Sequence, residues 1–264
     1  MSVQTLFDSA NLSARLFGIG SDRVVFTFDH WRQQRAGLAR NGTGRSINAA
    51  GFDHIRIETA RNDWFLNPDL PDLLTAIDQA SRGYVSRRGV GYSMGGYGLL
   101  IVSRAIRIDQ ALFLSPHTTP YADLPTARPL GDGRFEAMEE DGVFLRDAHD
   151  IIRGSGRRGG DVAILYDPLV EGDRPQAREV ARHFEAPRLV RLGGAGHPVT
   201  RRLSNEMAVR VVNTALTAEH LTEGSISRAV TRAIRQSSRE RIRLVIPACW
   251  PVQEADIRAV ANPM

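Results

Sequence analysis

The stretch GVGYSMGGYGLLIVSRAI, Gly89–Ile106, sets Ser93 at the centre of a Gly91-Tyr92-Ser93-Met94-Gly95 pattern. The residues before it, RRGVGYS, read as a strand, and MGGYGLLIVSRAI reads as a helix. A serine on a sharp strand-to-helix turn needs small neighbours, because the turn presses backbone against backbone. The helix that begins at Met94 aims its first unpaired N–H groups at the turn, where negative charge is stabilised. A G-x-S-x-G pattern alone is weak, so the surrounding chain must decide what it means.

Outward from this turn, β-rich runs alternate with helical ones. RVVFTF (23–28), HIRIET (54–59), DQALFLSP (109–116), DVAILYDP (161–168) and PRLVRL (187–192) read as strands. PDLLTAIDQASR (71–82), RPQAREVARHFE (174–185) and PVTRRLSNEMAVRVVNTAL (198–216) read as helices, with apolar residues at helical spacing. This alternation predicts an α/β fold with a mostly parallel central sheet flanked by helices. The segment 117–160 is rich in proline, glycine and charge, with helical patterning only at 147–153. It reads as a small cap or a long connection within a domain spanning 1–217. Residues 218–264 read as a helical extension packed on that domain.

A serine hydroxyl needs a base to become a nucleophile. His197 follows the strand PRLVRL through Gly193-Gly194-Ala195-Gly196, which places it at a strand's carboxyl end, where α/β sheets build their sites. His30 and His117 also follow strands and are its rivals; His54, His149, His183 and His220 read as solvated. A base in turn wants a carboxylate to hold its tautomer. Asp167, at the end of DVAILY, is the first choice. Asp173, directly before Arg174-Pro175 at a helix start, is the second, since that context also describes an ordinary helix cap.

The order serine, acid, histidine on an alternating scaffold resembles the α/β-hydrolase superfamily. GYSMGG, ILYDPLV and GGAGHP carry the resemblance and, with VVFTF, extend it over roughly residues 20–216. It implies Ser93 as nucleophile, Asp167 as acid and His197 as base. It also implies an oxyanion hole made by the backbone N–H groups of Met94 and of a residue near His30. Many members place His-Gly in that last loop, whereas this chain has Phe28-Asp29-His30-Trp31. The activity implied is acyl transfer to water, on a carboxylic ester or thioester of a small or saccharide-linked acyl group. A catalytically weak or inactive hydrolase fold used for binding or assembly is the alternative.

Other features bound these readings. Arg61, Trp64 and Tyr92 are candidates for the substrate pocket, the first two because they follow the strand HIRIET. All 34 basic residues are arginine, yet the net charge is only +4 and no basic tract is interleaved with aromatics, which argues against nucleic acid. The glycine spacing does not match a dinucleotide-binding turn, and no ligand-like clustering predicts a metal, so no cofactor is expected. The lone cysteine, Cys249, cannot form an internal disulfide. The N-terminal stretch does not read as a signal peptide and no 18-residue apolar run is found, so a cytoplasmic protein without an integral membrane segment is expected. In 225–244, Ile226, Val230 and Ile234 recur at i+4 among arginines. This describes an amphipathic helix docked on the domain, with a basic face available to a protein partner or a second copy.

Overall fold

RVVFTF shows how the sheet is built: Val24, Phe26 and Phe28 are buried on one face, and Val25 on the other. A strand apolar on both faces belongs inside a sheet that is covered on both sides. The computed structural model describes residues 1–117, apart from 41 and 43, and 156–230, apart from 202, 204, 223, 225 and 227. Within them lie strands β1 (Ser2–Asp8), β2 (Leu12–Gly18), β3 (Arg23–Phe28), β4 (Asp53–Thr59), β5 (Ser86–Tyr92), β6 (Gln110–Leu114), β7 (Asp161–Tyr166) and β8 (Arg188–Arg191). The helices are α1 (Arg45–Ala49), α2 (Leu70–Ser81), α3 (Met94–Ala105), α4 (Asp173–Arg182) and α5 (Asn205–Thr217).

One eight-stranded sheet has the order β1-β2-β4-β3-β5-β6-β7-β8. β1 and β2 run antiparallel, as do β2 and β4, and the remaining neighbours are parallel. The chain adds β4 on one side of β3 and then crosses to place β5 on the other. Such a reversal opens a crevice at the carboxyl ends of the two strands, the usual site position in open α/β sheets. Helices α2, α3 and α4 cover one face, with Leu73, Ile77, Leu99, Ile101 and Val180 in its core. Helices α1 and α5 cover the other, through Ile47, Val211, Val212, Ala215 and Leu216.

Six of the strands and four of the helices follow the expected alternation, with three differences. The N-terminal hairpin of β1 and β2 is an addition that alternation did not announce. Its turn is tied to the start of α2, where Asp69 accepts from Ser9 Oγ at 2.7 Å and from Asn11 Nδ2 at 2.9 Å. Helix α1 is a single short turn within a glycine-rich loop. Helix α5 begins at Asn205 rather than 198, because turns precede it: Arg201 N–H donates to the Pro198 carbonyl at 2.7 Å and Leu203 N–H to that of Thr200 at 2.9 Å.

The expected helix at 147–153, most of the 117–160 excursion, Cys249 and the tail beyond 230 lie outside the described residues. At the start of the tail, Leu221, Ile226 and Val230 are buried against the α5 side of the core. No helix among the described residues is long and apolar enough to cross a membrane.

Candidate active site

Ser93 stands between β5 and α3 with φ 47° and ψ −120°, a conformation L-residues rarely adopt. Such backbone costs about 1–3 kcal/mol and persists only where surroundings impose it. Here Ser93 N–H donates to the Leu114 carbonyl at 3.1 Å, and the Ser93 carbonyl accepts from Gly96 at 2.9 Å and His117 at 3.0 Å. The glycines are required by contact. A Cβ at Gly91 would lie 2.5 Å from the Gly95 carbonyl oxygen, and one at Gly95 would lie 2.8 Å from that of Asp29. Met94, as the first residue of α3, offers a backbone N–H without an intrahelical acceptor beside the serine.

The structure brings His197 to this turn. Its Nε2 lies 3.0 Å from Ser93 Oγ and its Nδ1 lies 2.7 Å from Asp173 Oδ1. The carboxylate on the histidine is therefore Asp173, the second candidate, and not Asp167. The reason is visible in the hydrogen bonds of Asp167. Its Oδ1 accepts the N–H groups of Leu169 at 2.9 Å and Gly194 at 3.1 Å, and its Oδ2 accepts that of Gly196 at 2.7 Å. Asp167 thus binds down the glycine turn that carries His197, while a tight turn through Val170 swings Asp173 to the ring.

Asp173 is buried and its second oxygen is also held, by Ser115 Oγ at 2.7 Å and Asp167 N–H at 3.3 Å. Ser115, fully buried with φ 44°, also accepts the N–H of Val199 at 3.1 Å and so ties the acid to the segment following the histidine. Nothing in the motif reading pointed to Ser115; its position just past β6 at the sheet's carboxyl edge is the only signal. His117, a rival base, packs flat on His197 with ring centres 4.6 Å apart and planes 18° from parallel.

Other expected site residues fall differently. His30 N–H is engaged by the side chain of Asp29, at 3.1 Å from Oδ1. That carboxylate, whose charge would oppose an oxyanion, is itself neutralised by Arg32 at 2.8 Å and Arg35 at 2.6 Å. Trp64 is no pocket wall: it is fully buried in the α2–α3 core, where its ring gains more by leaving water than by facing a cleft. Arg61 is exposed. Tyr92 does line a cleft of about 630 Å³ between the sheet, α1 and α5, together with His30. His54, expected to be solvated, is 5% exposed with Nε2 2.6 Å from Thr27 Oγ1; burial, with Arg56 beside it, holds its pKa down to about 3. His149 is outside the described residues. Among the described residues no group of three or more His, Cys, Asp or Glu side chains is gathered for a metal.

No family model matches the chain, and no curated protein matches it in sequence. Solved structures do match. The fold is of the α/β-hydrolase type. The esterase domain of a Rhodothermus marinus protein is 16% identical with a TM-score of 0.50, over 81% of this chain and 96% of that one. Est1E from Butyrivibrio proteoclasticus is 13% identical with a TM-score of 0.50, over 88% of this chain and 100% of that one. A capsule O-acetyltransferase of Neisseria meningitidis serogroup A, bound to CoA, is 12% identical with a TM-score of 0.51, over 73% of this chain and 88% of that one. At such identities the α/β-hydrolase-type scaffold is shared, and the chemistry has to be argued from the side chains.

Proposed function

We propose that the protein is a serine hydrolase working by acyl transfer, with Ser93, His197 and Asp173 as its triad. The observation that carries this reading is the continuous chain from Ser93 Oγ to His197 at 3.0 Å and on to Asp173 at 2.7 Å, starting from a strained turn. His197 Nε2 takes the Ser93 proton as Oγ attacks the acyl carbon of an ester or thioester. The tetrahedral oxyanion faces the N–H of Met94 at the start of α3. The imidazolium, stabilised by Asp173, then protonates the leaving alcohol or thiol as its bond to carbon breaks. Water, deprotonated by the same histidine, cleaves the acyl-serine and restores the hydroxyl. Esterases and an O-acetyltransferase occur among the fold neighbours, so the final acceptor is either water or a hydroxyl of a second substrate.

The test is intact-mass spectrometry after exposure to a small fluorophosphonate. One adduct on the wild type, absent from Ser93→Ala and His197→Ala, is expected. A folded wild-type protein that gains no adduct would sink the mechanism and favour a binding role for the fold. The engagement of the His30 N–H by Asp29 is the observation on that side.

A further inference from the structure

Beside the proposed nucleophile, the cleft lined by Tyr92 and His30 carries a charge arrangement that ester hydrolysis does not require. Arg45 and Arg56 lie on its walls with Thr27 and His54. The loop from His30 to Arg45 contains arginines 32, 35, 40 and 45 and no acidic residue. Arg40 is balanced by Asp8 at 2.9 Å, whereas Glu58 and Asp29 are each shared by two arginines. Glu58, fully buried, pairs with Arg15 at 3.1 Å and Arg56 at 2.7 Å. Asp29 pairs with Arg32 and Arg35. Arg45 has no acidic partner among the described residues. One carboxylate cannot neutralise two guanidiniums, so positive charge remains at the cleft beside low-dielectric walls, which strengthen its field.

The rest of the lining is suited to a polar guest. His54 is neutral at physiological pH, its ring pairs with the Thr27 hydroxyl, and its Nδ1 is buried without a hydrogen-bond partner among the described residues. Arginine is also the side chain whose planar fork matches a carboxylate, sulfate or phosphate. A cleft with an apolar body and a few convergent polar groups has the make-up of a small-molecule site. Asp29 ties it to the turn at Ser93, because the Asp29 carbonyl packs on Gly95 while its residue borders the cleft.

Resting on the hydrolase reading above, we propose that this cleft binds an anionic group, a carboxylate, sulfate or phosphate, carried by the acyl substrate, with Arg56 and Arg45 as its ligands. The protein then prefers charged esters to neutral ones of the same size.

The experiment separates binding from turnover. Ser93→Ala protein is titrated calorimetrically with benzoate, phenylphosphonate and the neutral control benzyl alcohol, alone and with Arg45→Gln or Arg56→Gln added. The two anions should bind and the alcohol should not, and each arginine substitution should weaken binding roughly tenfold, as for the loss of one charge-assisted hydrogen bond. Arg45 is exposed and has no acidic partner among the described residues, so its variant keeps the test valid if Arg56→Gln disturbs Glu58 and the fold. Benzoate should also compete with 4-nitrophenyl hemisuccinate in wild-type turnover, and that ester should outpace 4-nitrophenyl butyrate. Equal binding of alcohol and anions, or indifference to both arginines, overturns the site. Arginine-dependent binding without competition overturns its assignment to the substrate and marks a separate effector site. Arginine-dependent binding with no ester turned over would sink the hydrolase reading while the anion site stands.

Discussion

Asp167 and Asp173 are six residues apart, and their carboxylates do different work. Asp173 holds the ring of His197, so Asp173→Asn should leave the fold intact and lower kcat by roughly 10⁴, the size expected when a base loses its orienting carboxylate. Asp167 accepts three backbone N–H groups that no single amide oxygen can replace. Asp167→Asn should therefore cost about 1–3 kcal/mol of stability by thermal unfolding, while the folded fraction keeps kcat within about tenfold. The reverse ranking in steady-state kinetics would return the triad acid to Asp167. The segment holding the carboxylate that meets His197 was legible, since it follows a strand one unit before the histidine. The choice within it was not, because Asp173 sits where local rules expect an ordinary helix cap, which favoured Asp167. Only the hydrogen bonds of the 193–196 turn separate them.

Helix α3 links the motif to the sheet. Every residue from Met94 to Arg104 is buried, and the first turn is pressed against the loop after β3. Gly95→Ala would set a methyl 2.8 Å from the Asp29 carbonyl oxygen and 3.1 Å from that of Phe28. Overpacking of this kind costs about 1–3 kcal/mol. It should also push the Asp29–His30 loop from the serine and cut kcat/KM on any ester substrate by tenfold or more, measured beside the unfolding midpoint. An alanine that leaves both unchanged would show that this contact does not shape the site. The strand-turn-helix was readable because apolar runs flank small residues. The β1–β2 hairpin was not, since SVQTLFD is a mostly exposed edge strand and LSARLFG mixes polar and apolar residues although none of them is exposed.

At the scale of the molecule, His54 couples the sheet to proton concentration. It lies in β4, bonds Thr27 of β3 and stacks on Phe17 of β2 with ring centres 5.7 Å apart. Its pKa falls from 6.5 in the unfolded chain to about 3 in the folded one. Above pH 6.5 the ring is neutral in both states. Below it the unfolded chain takes up the proton first, so stability falls as pH drops, by about 1.4 kcal/mol per unit until the folded value is approached. Denaturant unfolding at pH 7, 6, 5 and 4 should show this slope in the wild type and a flatter profile in His54→Gln. Parallel profiles for the two proteins would remove His54 as the cause.

The sequence by itself determined the alternating architecture, the strand-to-helix turn at Ser93 and the place of His197 at a strand end, because periodicity, glycine and chain order are local properties. Tertiary structure alone decided that Asp173 meets the histidine, that Ser115 holds Asp173, that Trp64 is core and that unbalanced arginines gather beside Tyr92. These depend on which hydrogen bonds and charges converge from distant segments, Ser115 and Asp173 being 58 residues apart, and no local pattern encodes that convergence.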